Sequence, residues 1–597
     1  MLSTFPARQK ATNCAKFVLK VGQALAPAPL PAVATLYSMS LKRSYFFFII
    51  FLLTGCTLVN PMNTSPSPST TPALDAQAWL MQMTPEQKLG QTLIIGFDGT
   101  TVSPALRQMI VEYHVGGVIL FARNIESPQQ VAQLCHDLQS IALQSGHPGL
   151  LIAIDQEGGR VARLSEKTGF TEFPGAMAIA ATGDPNNANR VYAAMAAEMR
   201  AVGINVDFAP DLDVNNNPLN PVIGIRSFGS DPQQVSTFGV AALQGLQDNG
   251  VMAFGKHFPG HGDTGVDSHV ALPLVAHDRE RLDRVELPPF EAAMQANVAG
   301  IMSAHVTFPA IDPQPGRPAT LSQPVLTGLL RQQLGYQGLV VTDSLEMGAL
   351  GEAGYPPPKA AVAAFDAGAD LLLFNRDHAL HRAAIDEMKA ALANGTLKAS
   401  WLDESVLRIL QAKQRFGLLN PTLVDPQIAA QAVHTAEHQQ LALEVAQQSI
   451  TLLRDRGGLL PLQADEPLLV IEPTGGRGLA AALNTTYLQV SSEPTNAEIK
   501  LALSMARDGR KVIVVTADAN RLTEQADLVN DLLAAGSPVI VIASRNPYDI
   551  LAFPQVQTYL VSYGLNEPAI QALVSVLRGQ IVAKGSLPVE IPGLSGQ

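Results

Sequence analysis

Between positions 91 and 374 the chain repeats one rhythm: a short apolar run, then a longer stretch whose apolar residues recur every three or four positions. The runs are "QTLIIGF" (91–97), "GGVILF" (116–121), "LLIAID" (150–155), "NVDFAP" (205–210), "VMAFGKH" (251–257), "GIMSAHV" (300–306), "LVVTDS" (339–344) and "DLLLF" (370–374). Each is bounded and apolar nearly throughout, as a strand covered on both faces is. Helical stretches such as "PQQVAQLCHDLQSIALQSG" and "ANRVYAAMAAEMRAVG" separate them, and the second stops on Gly203 just before the next strand. Eight strands, each followed by a crossover helix, predict a (β/α)8 TIM-type barrel over 77–420, with room for one irregular strand.

The rhythm restarts at Ala436. The helix "AEHQQLALEVAQQSI" leads to "TLLRD" and "LLPL". Strands "PLLVIEP", "KVIVVTADA", "PVIVIAS" and "QTYLVSY" then alternate with helices around 497–508, 522–535 and 568–578. This predicts a C-terminal α/β sandwich domain over 421–597 with an open, largely parallel sheet. "VTADAN" and "ASRNPYD" end two of its strands, but no GxGxxG or P-loop occurs, so it reads as a packing or interaction domain and no cofactor is expected.

The N-terminal residues follow neither pattern, and 1–37 read as no folding unit. From Met39 the chain runs "MSLKRSYFFFIIFLLTGC": Lys42 and Arg43, an apolar run over 45–53, then Leu-Thr-Gly-Cys ending on Cys56. That is the layout of an export signal, and the run is too short for a permanent membrane span. The ending resembles the bacterial lipobox, which implies lipidation at Cys56, a true start at Met39, and a membrane anchor. Thr57 after the cysteine resembles an outer-membrane address. "TLVNPMNTSPSPSTTPALDA" then forms a Ser/Thr/Pro-rich tether over 57–76. Of Cys14, Cys56 and Cys135, only Cys135 is left as a free thiol, and its amphipathic surroundings make it a buried, inert one.

Composition narrows the partners. Hydrophobic residues make up 47% of the 597 and charged ones 15%, which suits large packed cores. A formal charge of −12, with no clustered Lys/Arg stripe, argues against nucleic acid and favours an uncharged or weakly charged substrate.

The candidate chemistry sits where barrel strands end, the side on which such barrels build their sites. Asp155, Arg163, Asp207, Asp211, His257, His305 and Asp343 all fall at or just past an apolar run. Left unpaired at buried strand ends they would cost stability, so convergence on a ligand is expected. "KHFPGHGDTGVDSH" (256–269) is the densest cluster. Its Gly260, Gly262 and Gly265 predict a loop bent through conformations closed to other residues. His257, His261, Asp263 and His269 are permitted metal ligands, but their spacing matches no metal motif. A structural loop with satisfied side chains is a second reading. A general acid/base loop fits best. Asp267 stands one residue from His269, close enough to fix its tautomer and favour its protonated form, leaving the other nitrogen to handle a proton. "VVTDSLEMGAL" offers Asp343 as a nucleophile able to attack an anomeric carbon. Glu346 is expected deeper in the following helix, in a solvated or capping role. "IDQEGGRVARL" adds Asp155, Glu157, Arg160 and Arg163.

"AIDQEGGRVARL", "GIRSFGSDP", "KHFPGHGDTGVDSH" and "VVTDSLEMGAL" together resemble glycoside hydrolase family 3, in particular its bacterial β-N-acetylglucosaminidases. "SITLLRDRGGLLPL" and "ASRNPYDI" extend the resemblance to the second domain of two-domain members. It implies a retaining exo-β-N-acetylglucosaminidase, with Asp343 as nucleophile, His269 as acid/base and Asp267 as its partner. Asp155, Arg163, Arg226, Lys256 and His257 match positions that bind the terminal sugar. The resemblance also implies that the second domain is dispensable for proton transfer. Many relatives in Gram-negative bacteria are cytoplasmic single-domain enzymes. The export signal here points instead to an envelope enzyme acting on peptidoglycan fragments. A phosphorylase on the same site, a β-glucosidase and an inactive sugar-binding protein are the alternatives.

Overall fold

The structure, a computed structural model, describes residues 75–475 and 478–594. The export signal, Cys56 and nearly all of the tether lie outside the described residues. Eight parallel strands form the first sheet: β1 (Leu93–Ile95), β2 (Gly117–Leu120), β3 (Leu151–Ile154), β4 (Val206–Asp207), β5 (Met252–Phe258), β6 (Gly300–Ser303), β7 (Leu339–Thr342) and β8 (Leu372–Phe374). Each pairs with its sequence neighbour, β1 also pairs with β8, and a bridge between Val341 and Leu371 joins β7 to β8 and brings the ring to near closure. The period of two divides the apolar residues between two layers. Ile94, Ile119, Leu151, Val206, Phe254 and Val341 pack together inside the ring, while Leu93, Val118, Ile152 and Ile301 pack against the helices.

Except at β5, the apolar runs are longer than the strands because their polar ends turn off into the loops. β4 is the irregular strand. After Asp207 its chain still bonds to β5 (Phe254 N to Ala209 O, Lys256 N to Pro210 O), but Pro210 has no N–H to return, so the regular ladder stops. Cys135 is buried on the helix Pro128–Gln144, as expected.

The second sheet comprises β9 (Thr451–Asp455), β10 (Leu468–Pro473), β11 (Thr486–Val490), β12 (Lys511–Thr516), β13 (Val539–Ala543) and β14 (Thr558–Val561), in the order β11-β10-β12-β13-β14-β9. All pairs are parallel except β14 with β9. β11 is absent from the strands expected of the sequence because it is an edge strand, mostly exposed, with no apolar run. "LLPL" forms no strand.

The sheets share packing. Met177, Ala178, Ala181 and Ile225 of the barrel lie in one apolar cluster with Tyr548, Ile550 and Val589 of the second domain. Tyr548 Oη donates to Asn215 O at 3.2 Å and Asn520 Nδ2 to Pro218 O at 2.8 Å, tying the second domain to the loop after β4.

Candidate active site

β3 and β5 deliver a buried charge cluster to one end of the ring. Lys256, 2% exposed, donates to Asp155 Oδ1 at 3.0 Å and Glu157 Oε1 at 2.7 Å. Arg226, on the turn after β4, forks onto Glu157 with Nε to Oε2 at 2.8 Å and Nη2 to Oε1 at 2.7 Å. Arg163 reaches Asp155 Oδ2 at 3.3 Å. Four of the five residues expected to bind the sugar therefore meet here, and the fifth, His257, lies 3.5 Å from Arg226 through Nε2.

Burial alone would push the Glu157 carboxyl up, but Arg226 and Lys256 outweigh it and hold it far below its ordinary range. Asp155 is likewise lowered on balance: burial raises it, and Lys256 and Arg163 more than reverse that. Asp155, its side chain 17% exposed, has more lone pairs than its two cations fill, so it can accept hydroxyl donors. The loop that carries it is pinned from below. Asp207 accepts from Gln156 N at 2.9 Å, and Gln156 Oε1 accepts from Arg163 N at 2.8 Å and Leu164 N at 3.0 Å. Burial raises Asp207 well above its ordinary value.

His257 Nδ1 sits 2.7 Å from Asp213 Oδ2. Burial, with Arg226 beside it, lowers His257 to about 4, so the ring is neutral and Nδ1–H donates. Asp213 also accepts from the His261 backbone N–H at 2.6 Å, which anchors the following loop.

That loop carries the pair expected to act as acid and base, His269 and Asp267. Asp267 Oδ1 accepts from the His269 backbone N–H and faces Nδ1, both at 2.8 Å. Burial raises the Asp267 carboxyl, and the two His269 contacts bring it down on balance. The pair is open to solvent, with His269 65% and Asp267 39% exposed. Of the three glycines, Gly260 has the positive φ (+139°) that favours glycine. A Cβ on Gly262 would strike Val214 O, so it is needed for space, while one on Gly265 would meet nothing.

Asp343 follows β7 and is half-buried, with Oδ1 accepting from Ser344 N at 2.7 Å. Burial pushes its carboxyl up, but His305, His257, the Ser344 N–H and His269 bring it below its ordinary value. His305, from the end of β6, is buried and lies 2.9 Å from Ser344 O through Nε2. The loop of His269 reaches the same segment: a Cβ on Gly348 would lie 2.8 Å from His269 O. An ionised carboxylate and an imidazole on an adjoining loop thus share one mouth of the barrel. Glu346 departs from expectation. It lies in the turn before the helix Gly348–Glu352, where it accepts from Asn375 N at 2.7 Å and steadies the loop after β8.

The residues considered as metal ligands do not converge. His261 is held by Thr264 and Ser268, Asp263 by His277, His269 by Asp267 and His257 by Asp213. Among the described residues, Asp211, Asp213 and His257 do bring ligand atoms within 4.8 Å of one another, but Arg226 lies 3.6 Å from Asp211 there and supplies the positive charge. Sequence reasoning passed over Asp213 and Gln156 as site residues, although "APDLDV" repeats acids just past a strand.

The chain is similar to known proteins over most of its length. Residues 84–412 match the model described as Glycosyl hydrolase family 3 N terminal domain, and 450–597 the Glycosyl hydrolase family 3 C-terminal domain. The Beta-hexosaminidase A of Pseudoalteromonas piscicida is 34% identical, covering 86% of this chain and 98% of its own. The Beta-N-acetylglucosaminidase/beta-glucosidase of Cellulomonas fimi is 29% identical over 86% of this chain and 96% of its own. The solved glycoside hydrolase family 3 beta-N-acetylglucosaminidase of Paenibacillus sp. superposes with a TM-score of 0.81 at 42% identity, over 85% of this chain and 99% of that one.

Proposed function

The chain belongs to glycosyl hydrolase family 3 and is a β-hexosaminidase of that family, and from that premise we propose a retaining exo-β-N-acetylglucosaminidase that releases terminal N-acetylglucosamine from peptidoglycan fragments. Asp343 attacks the anomeric carbon and forms a covalent glycosyl ester. His269, oriented by Asp267, gives its proton to the leaving oxygen, and the bond from that oxygen to the anomeric carbon breaks. The neutral imidazole then takes a proton from water as the water attacks the same carbon, releasing the sugar with its configuration retained. Asp155, Arg163, Arg226, Lys256 and His257 hold the sugar's hydroxyls. The observation that carries this reading is the pairing of a carboxyl held ionised, Asp343, with an imidazole–carboxylate pair on a loop touching the Asp343 segment.

The test is turnover of 4-nitrophenyl N-acetyl-β-glucosaminide by the wild type and Asp343→Asn. The variant should lose about 10⁴-fold or more in kcat, with a glycosyl ester on Asp343 trapped by a slow substrate in the wild type. Retained activity in the variant sinks the reading. Running the reaction with phosphate identifies a phosphorylase by its sugar 1-phosphate product. The same reading puts the mature enzyme in the cell envelope, lipid-anchored through Cys56. Its support is the sequence Lys42–Cys56, and Cys56→Ser should release the protein from membranes.

A further inference from the structure

The stretch "ASRNPYDI" (543–550) runs from the end of β13 and meets the barrel loop after β4. Three residues of the second domain grip that loop: Tyr548 at Asn215 O, Asn520 at Pro218 O and Asn546 at Gly224. Asn546 opens the short helical turn Pro547–Ala552, a place where asparagine ordinarily caps, but its side chain caps nothing. Its Nδ2 instead donates to Asp518 Oδ1 at 2.9 Å, and Arg545 holds the other oxygen of Asp518 at 2.9 Å. A carboxylate only accepts, so this bond fixes which end of the amide faces it. Asp518 keeps a φ of 65° although it is not glycine, and strain of this kind gathers at functional sites.

The buried amide of Asn546 lies across Gly224. A Cβ on Gly224 would be 2.8 Å from Oδ1 and 2.9 Å from Nδ2, and Gly224 also holds a φ of 49°. Both the space and the conformation therefore ask for glycine. Among the described residues the Asn546 Oδ1 has no hydrogen-bond partner, so the contact is one of shape. Gly224 begins the turn Gly224–Arg226. Arg226 N donates to Ile223 O at 3.0 Å and Ser227 N to Gly224 O at 3.2 Å, so the backbone two residues past the contact is already set. Ile225, between them, packs in the same apolar cluster as Tyr548 and Ile550. Just upstream, Asn220 Oδ1 accepts from Val222 N and Ile223 N, both at 2.8 Å. The turn is thus held on the second-domain side and delivers Arg226 onto Glu157.

We propose that Asn546 is a positioning residue for sugar binding: aimed by Asp518 and pressed on Gly224, it sets the turn that points Arg226 into the charge cluster. The second domain thereby adjusts the grip on the sugar from outside the site. The inference rests on the reading of Arg226 as a sugar ligand.

The experiment is a double-mutant cycle on 4-nitrophenyl N-acetyl-β-glucosaminide, combining Asn546→Ala with Arg226→Lys, which keeps the charge but gives up the fork. Asn546→Ala should raise KM about tenfold, the worth of one hydrogen bond to a charged group, with kcat within about twofold of wild type. In the Arg226→Lys background the same change should move KM by less than about twofold. A KM for Asn546→Ala within about twofold of wild type overturns the inference. So does an equal loss in both backgrounds, or a fall in kcat alone, the mark of lost folded enzyme. Should one of these variants fail to fold, Gly224→Ala decides from the barrel side: its methyl would strike the amide and should raise KM to a like degree at unchanged kcat, and an unchanged KM overturns the inference. An Arg226→Lys enzyme with the wild-type KM overturns the reading of Arg226 and the inference with it. Failure of the wild type to cleave the substrate overturns the N-acetylglucosaminidase reading beneath both.

Discussion

Replacing Glu157 by glutamine is the sharpest probe of the buried charge cluster. The carboxylate is 2% exposed and accepts from three donors, two of Arg226 and one of Lys256, at 2.7–2.8 Å. At an effective dielectric of about 20, each cation contact is a gross attraction of about 6 kcal/mol. Desolvation cancels much of that in the intact cluster. Glu157→Gln would keep the cost of burying both cations while losing the charge, and the new amide N–H₂ would face one of the donors. Breaking a buried pair in this way costs about 3–5 kcal/mol. The sign with pH follows from the direction of the shift. A carboxyl lowered in the folded state stabilises fully above its unfolded value, about 4.3, and loses this only as pH falls through the lowered folded value. The variant's deficit should therefore be the same at pH 5 and pH 8. Urea unfolding at both pH values reads the deficit, and kcat/KM on 4-nitrophenyl N-acetyl-β-glucosaminide reads the displacement of Arg226 and Lys256, expected at tenfold or more. A variant within about 0.5 kcal/mol of wild type, the usual range of a surface change, would refute the account of the cluster as a set of mutually dependent charges.

Asp267→Asn removes the charge beside His269; because the pair is largely exposed, the loss is set near 1.5 kcal/mol, or about tenfold in kcat/KM on unactivated disaccharides and less on the 4-nitrophenyl substrate, and equal losses on both would count against an acid role. With Asp343 held below its ordinary 3.8, kcat/KM on the 4-nitrophenyl substrate should show no inflection from the nucleophile near pH 5, and one that Asp343→Glu moves would contradict the assignment. Lys413, fully buried against Gln91 Oε1 and Gly116 O, is lowered to about 7 by burial. A lysine depressed on folding lets stability rise with pH between about 7 and 10.5. The melting temperature of Lys413→Met relative to wild type should therefore be higher at pH 6.5 than at pH 9.5, and a pH-independent difference would show that the lysine stays charged.

Much of this architecture is legible in the chain because buried parallel strands announce themselves as unbroken apolar runs, and all eight barrel runs overlap a strand. The exceptions have physical reasons. β11, at a sheet edge, needs no apolar run, and "LLPL" contains a proline that cannot donate to a ladder. Within the site, Lys256, Asp155 and Asp343 are visible as polar residues ending apolar strands. Asp213 and Gln156 are not, because their work is to hold backbone N–H groups of neighbouring loops, and such bonds appear only when those loops meet. Glu346 departs from its expected place for the same reason: its partner, the N–H of Asn375, lies 29 residues away.

The apolar seam joining Met177, Ala181 and Ile225 to Tyr548 and Ile550 has a consequence for anyone dissecting this protein. Placing the proposed chemistry of Asp343 and His269 in the first half would not make that half a detachable module. A chain cut after the barrel would leave a greasy, unhealed face beside the Arg226 turn, and is expected to clump or melt early. The two halves are expected to unfold as one cooperative body.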